Sequence, residues 1–230
     1  MNGYEVDIIN VDTWDKVEKF IDSDSSFVAM PPSYFERAIQ GNYPRDAFSK
    51  GQLASKSWLL SKLFKQSSYN RDYTIAILGC WIGTLVQPLF DVMHIKRIYG
   101  IDVDANSIEL AERFNQRYVQ DNWRFKGVVA DASILNTSDM EFETGGELIN
   151  VSPCIIINTS CEHMDTRWFE TASHTQLIAM QTNDSEGYAG HINTCKSIEE
   201  MFEKYPMEKR LYAGIMKTPA YTRFMQIGYK

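Results

Sequence analysis

The stretch from Tyr73 to Asp104, YTIAILGCWIGTLVQPLFDVMHIKRIYGIDVD, constrains the fold more than any other part of the chain. It contains two short apolar runs, 74–78 and 98–101, both rich in Ile. Such runs have the character of buried parallel strands. Between them lie a glycine-marked turn, Gly79-Cys80-Trp81-Ile82-Gly83, and a segment of helical character, 84–95. The second run ends on an acid, Asp102. This order of strand, glycine turn, helix, strand and acid commonly holds a nucleoside cofactor. The turn lets backbone come close, and the acid takes the ribose hydroxyls. Asp102 stands 102 − 79 = 23 positions after Gly79, near the roughly 20 expected of a ribose-binding acid. The dinucleotide fingerprint G-x-G-x-x-G is broken, because Trp81 and Thr84 stand where it needs glycines. A pyrophosphate pressed onto this turn is therefore disfavoured, and an NAD-type oxidoreductase with it.

The segment resembles the class I S-adenosylmethionine-dependent methyltransferases. Their first motif has the form h-x-G-x-G-x-G, and Leu78-Gly79-Cys80-Trp81-Ile82-Gly83 keeps its outer two glycines. It departs at Trp81, where the middle glycine is usual, and at Ile77, where an acid is usual. Tyr99-Gly100-Ile101-Asp102-Val103-Asp104, followed by a helix, fits the second motif. The resemblance runs from about Tyr73 to the C-terminus. It implies a three-layer αβα sandwich with a seven-stranded, mostly parallel sheet closed by a C-terminal antiparallel hairpin. It also implies S-adenosyl-L-methionine as cofactor and methyl transfer to an O or N acceptor of a small or medium-sized molecule. The alternative is a catalytically degenerate member with a ligand-binding or scaffold role, in which Trp81 blocks or reshapes the cofactor turn.

By the same resemblance, Gly79, Cys80, Trp81 and Gly83 form the turn beside the cofactor. Asp102 and Val103 meet the ribose, and Asp131 with Ala132 meets the adenine. Asn158 and Thr159 follow the fourth strand, in the loop that faces the transferring methyl. Lys56, or Lys50, pairs with the methionine carboxylate. The polar run 158–164, Asn158-Thr159-Ser160-Cys161-Glu162-His163-Met164, follows an apolar strand. Ligands sit outside the carboxyl ends of such strands, so this run is where chemistry is expected. Glu162 and His163 are candidate bases for the acceptor's proton, and His191 in the loop 185–194 is a further one. The plainer roles stay open: Asp131 as a cap before Ser133, Glu162 and His163 as caps of the next helix, each Lys as a solvated flank. Asn183-Asp184 resembles, in reversed order, the Mg²⁺-binding pair of the catechol-type branch, but no metal is expected. The N-P-P-Y-type sequence of the amino-methylating DNA enzymes is absent after Asn158.

The rest of the chain reads in order. Residues 1–48 are expected to form an irregular N-terminal region of short helices, 14–21 and 34–40, that lies over the mouth of the main domain at 49–230 as an arm or lid. A helix over 49–66 carries a wide apolar stripe through Leu53, Leu60 and Leu63. A helix over 105–119 should turn Leu110, Ala111, Phe114 and Tyr118 inward, with Ile108 at the edge. A third strand spans 124–130, and the polar stretch 136–150 reads as a surface loop or short helix. A fourth strand at 154–157, a fifth at 177–181, a helix at 196–205 and two strands at 210–217 and 222–229 complete it.

The net charge of −7 disfavours nucleic-acid binding. No apolar run approaches the ~20 residues of a membrane span, and the N-terminus lacks the basic and apolar regions of a signal peptide. Cys80, Cys154, Cys161 and Cys195 show no C-x-x-C spacing, which reads as reduced thiols in the cytoplasm. The expected partner is a small-molecule acceptor; oligomeric state is not readable.

Overall fold

A computed structural model describes residues 5–23, 40–67, 71–144 and 146–230. The helix expected over 34–40, but for Gln40, lies outside the described residues, as does the break at 30–33. Ten strands are assigned among the described residues: β1 (Asp7–Asn10), β2 (Tyr73–Leu78), β3 (Ile95–Asp102), β4 (Phe125–Val129), β5 (Met140–Thr144), β6 (Glu147–Val151), β7 (Ile155–Asn158), β8 (Leu177–Asn183), β9 (Lys209–Lys217) and β10 (Thr222–Tyr229). Eight of them form one sheet in the order β1-β9-β10-β8-β7-β2-β3-β4. Only β10 runs antiparallel to its neighbours, β8 and β9. The chain thus has the expected mostly parallel sheet with a C-terminal antiparallel hairpin.

Two elements differ from the expectation. Residues 7–10, read as irregular, form an edge strand that pairs in parallel with β9. The stretch read as a surface loop or short helix is a separate antiparallel hairpin, β5 with β6. In that hairpin Met140, Phe142 and Val151 are buried, so it is attached to the core through every second residue, as a strand requires.

The parallel strands β2, β3 and β7 are apolar on both faces. In β2, Ile75 and Ile77 belong to one apolar cluster, and Ala76 and Leu78 belong to the other. Alternation at a period of two sends successive side chains to opposite faces. Helices α1 (Trp14–Ser23), α2 (Lys50–Gln66) and α3 (Val86–Val92) belong with the first cluster through Val17, Trp58, Leu59, Leu63 and Leu89. Ser49 caps α2 by accepting from the Gln52 N–H. Helix α2 is buried nearly all round, including Ser55, Lys56 and Ser57, which a single apolar stripe did not anticipate.

The helix expected over 105–119 is two: α4 (Ala105–Phe114) and α5 (Gln116–Gln120). Asn115, fully buried between them, donates through Nδ2 to the carbonyls of Gly83 and Ala111. A side chain bonding back to the i−4 carbonyl competes with the helix at that point. Ile108 is buried and Leu110 only half-buried, the reverse of the expected order. Asp104 caps α4, accepting from the N–H groups of Asn106 and Ser107. Two short helices on the other side, α6 (Arg167–Glu170) and α7 (Ile198–Lys204), bring Trp168, Phe169 and Met201 to the second cluster.

Candidate active site

Strands β2, β3, β4, β7 and β8 end at one side of the sheet, around a cleft of about 700 Å³. Gly79, Cys80, Trp81 and Gly83 line it after β2, Asp102 and Val103 after β3, and Asp131 and Ala132 after β4. Thr159, Glu162 and His163 line it after β7, with His191 on the loop after β8 and Lys56 on α2. Asn158 is the correction. It is fully buried and does not line the cleft. Its Oδ1 accepts from the Ser160 N–H, so its work is to shape the loop. Lys50 stays outside as well, paired with Glu18 at the surface.

The turn after β2 is built from left-handed backbone. Gly79 has φ 61°, Trp81 49° and Gly83 67°. A Cβ at Gly83 would stand 2.7 Å from Asn115 Nδ2 and 3.3 Å from Ala111 Cβ. Gly83 therefore lets α4 close onto the turn. A Cβ at Gly79 would meet the Ser160 side chain at 3.0 Å. Trp81 occupies a conformation that costs an L-residue about 1–2 kcal/mol. Its N–H donates to Asp102 Oδ2 at 2.8 Å, which holds it there. Asp102 Oδ1 accepts from the Asp104 N–H. Each carboxylate oxygen has two acceptor directions, so Asp102 keeps one on each for a ligand. The helix expected from residue 84 begins only at Val86, and Leu85 gives it no side-chain cap.

Asp131 does cap the turn: its Oδ1 accepts from Ser133 N–H and Oγ. These bonds hold its carboxyl below the usual carboxylate value. It is exposed at the cleft wall all the same.

Two cations are buried at the other end. Lys56 is 5% exposed and donates to Gln52 Oε1 at 2.8 Å. Burial, and then the Arg223 charge, push its pKa down to about 7. Arg223, 4% exposed, lies 4.0 Å from Glu162 Oε1 and donates to the Thr159 carbonyl. The sequence reading missed Arg223. Its signal was an Arg on the same strand face as Met225 and Ile227. Tyr221 was missed too; Arg223 lies 5.2 Å from its ring centroid.

Glu162 is 3% exposed. Its Oε1 accepts from Asn183 Nδ2 at 2.6 Å, while Oε2 is buried without a hydrogen bond among the described residues. The Glu162 carbonyl accepts from the N–H groups of Ile192 and Asn193. That pair of bonds draws the loop after β8 over and sets the His191 ring 4.6 Å from the ring of His163. Asp184, the other half of the metal-like dipeptide, instead accepts from the Thr222 N–H at the hairpin and does not line the cleft.

No protein-family model matches the chain, and no curated protein matches it. Solved structures do. The magnesium protoporphyrin IX methyltransferase ChlM from Synechocystis, with bound SAM, superposes with a TM-score of 0.55 at 15% identity, over 92% of this chain and 97% of that one. The N-methyltransferase NodS from Bradyrhizobium japonicum gives 0.54 at 11% identity, over 76% and 93%. MtNAS in complex with MTA and tNA gives 0.54 at 10% identity, over 94% and 69%. At these identities the likeness speaks for the fold, which is the Rossmann-like methyltransferase fold.

Proposed function

We propose that this fold serves S-adenosylmethionine-dependent methyl transfer to an O or N acceptor of a small or medium-sized molecule. The observation that carries the reading is Asp102. It stands in the cleft, tied to the Gly79–Gly83 turn through Trp81, with acceptor capacity left for two ribose hydroxyls. The remaining residues fit the rest of such a cofactor. Asp131 can accept from an exocyclic amine, and the Ala132 N–H can serve a ring nitrogen. The buried Lys56 offers a cation to a carboxylate. When bound, the cofactor supplies a methyl group on a sulfonium, so the protein's task is mainly alignment. Removal of the acceptor's proton then falls to Glu162, His163 or His191. The small-molecule acceptor is part of the proposal and follows the magnesium protoporphyrin IX methyltransferase ChlM by analogy.

Calorimetric titration with S-adenosylmethionine and with NAD tests this. Binding of the first alone supports it; binding of NAD alone would return the chain to the oxidoreductase reading. Binding of neither favours a scaffold role, for which the strained Trp81 in the cleft is the specific support. Asp102→Ala should weaken cofactor binding by about 1–3 kcal/mol through lost charge-assisted hydrogen bonds. Unchanged affinity removes Asp102 from the site. Glu162→Ala and His163→Ala should lower turnover more than cofactor affinity, and the opposite ranking would make them cofactor contacts.

A further inference from the structure

We propose that Glu162, His163 and His191 bind one divalent first-row transition-metal ion in the cleft, against the sequence expectation of no metal. One donor atom from each lies within 4.8 Å of the other two. Zn–N and Zn–O bonds are about 2.0–2.2 Å, so donors around one ion sit roughly 3–4.3 Å apart. Pairs at the 4.8 Å limit must draw in by roughly 0.5–1.8 Å to meet that spacing, and the exposed His163 ring has freedom to move.

Four features mark a built site. First, Glu162 lines the cleft, its Oε2 is buried with no hydrogen-bond partner among the described residues, and its Oε1 is fixed by Asn183. A buried carboxylate oxygen with no donor is costly unless something binds it. Second, His163 Nδ1 is 3.2 Å from the Gly190 carbonyl, and His191 Nδ1 is 2.5 Å from the Ser185 carbonyl. A carbonyl can only accept, so each Nδ1 is the donor, and in the neutral ring that leaves the Nε2 lone pair for a ligand. Metal-bound histidines are oriented in this way. Third, the Glu162 carbonyl itself ties down the loop that brings His191. Fourth, two imidazoles and one carboxylate form a donor set for Zn²⁺, Fe²⁺, Mn²⁺, Co²⁺ or Ni²⁺ rather than Mg²⁺ or Ca²⁺. Arg223 lies 4.0 Å from Oε1 and offsets part of the carboxylate's charge.

Three protein donors leave coordination positions open to the cleft, as in catalytic rather than structural sites. An acceptor hydroxyl held there would be acidified and would pass its proton to solvent in the open cleft; with the ion bound, Glu162, His163 and His191 serve as ligands in place of the base role given to them above. That use rests on the methyl-transfer reading; the existence of the site does not. The full chain, stripped with chelator, is titrated with Co²⁺ followed by its visible ligand-field bands, and with Zn²⁺ by calorimetry. One ion per chain is expected. His163→Gln and His191→Gln should each weaken binding at least about tenfold, while His94→Gln and His174→Gln leave it unchanged. The metal-free unfolding midpoint should not move, since neither ring is buried. No binding at micromolar ion, or binding that survives the double His163→Gln/His191→Gln change, overturns the site. So does an intense near-ultraviolet thiolate band, which would transfer the ion to cysteine. Titration of the metal-free chain with S-adenosylmethionine reads the cofactor separately, so either result can fail alone.

Discussion

At Gly83 a single hydrogen atom decides whether the cleft closes. The residue combines φ 67° with a contact that leaves no room for a methyl group. Gly83→Ala should destabilise the protein by about 2–4 kcal/mol, the sum of left-handed strain and displacement of Asn115. Denaturant unfolding measures it, and a loss below about 1 kcal/mol would show that Asn115 moves aside freely. Lys56 acts in the opposite sense, because its burial disfavours the charged form. Its pKa falls from 10.5 to about 7, so between those values the unfolded chain binds more protons. Stability should therefore rise with pH across that window. Lys56→Met removes the effect: the variant should be more stable than wild type near pH 7, by of order 3 kcal/mol, and the gap should narrow toward pH 10. A gap independent of pH would show that Lys56 is charged in the native protein. An anionic ligand should restore that charge, so cofactor binding at pH 8 should take up a proton, read as a dependence of calorimetric heat on buffer ionisation enthalpy.

Edge strand β1 is attached in part through a polar side-chain network at Asp7. Asp7 Oδ2 accepts from Lys62 Nζ and Tyr212 Oη, and Tyr212 Oη accepts from Trp58 Nε1. The Lys62 hydrogen bond is the first cause that holds the Asp7 carboxyl below its ordinary 3.8. A lowered carboxylate adds stability above the unfolded value and loses it as pH falls through the folded one. Asp7 is 43% exposed at its side chain, so solvent screening limits the effect to roughly 0.5 kcal/mol. Asp7→Asn should show that deficit in urea midpoint at pH 7 and almost none at pH 3. An equal deficit at both would assign β1's attachment to its backbone pairing alone. Helix α2 teaches a second lesson at this scale. Its boundaries were legible from the apolar spacing, and Lys56 was named from the resemblance as a partner of a carboxylate; its burial beside Gln52 was not legible.

For the molecule as a whole, the cleft is fed by five strand ends, a buried helix and the loop after β8, so ligand binding should be felt globally. S-adenosylhomocysteine at about 100 times its dissociation constant stabilises a protein by ~2.7 kcal/mol. For a chain of 230 residues that corresponds to a rise of roughly 5–11 °C in Tm. Thermal scans with and without ligand check it; a flat Tm at saturation would mean that the ligand binds the unfolded chain as well, or not at all.

Local signals carried much of this. Apolar runs that end at glycine, acid or amide located β2, β3, β7 and β8, because a strand buried on both faces has little choice of composition. Those runs and β4 placed Asp102 at a strand end and Asp131 and Glu162 in the segments that follow, and in a parallel sheet all these ends share one side. What local signals could not carry was anything settled by a partner distant in sequence. Asn115 breaks a helix because Gly83 lies against it. Arg223 reaches Glu162, and His191 reaches His163, only through the stacking of β7, β8 and β10. Residues 7–10 are a strand because β9 offers an open edge. The sequence by itself determined which segments are buried and where polar groups interrupt them; the tertiary structure alone decided which of those groups meet, since that depends on strand order and loop docking, which leave no mark on neighbouring residues.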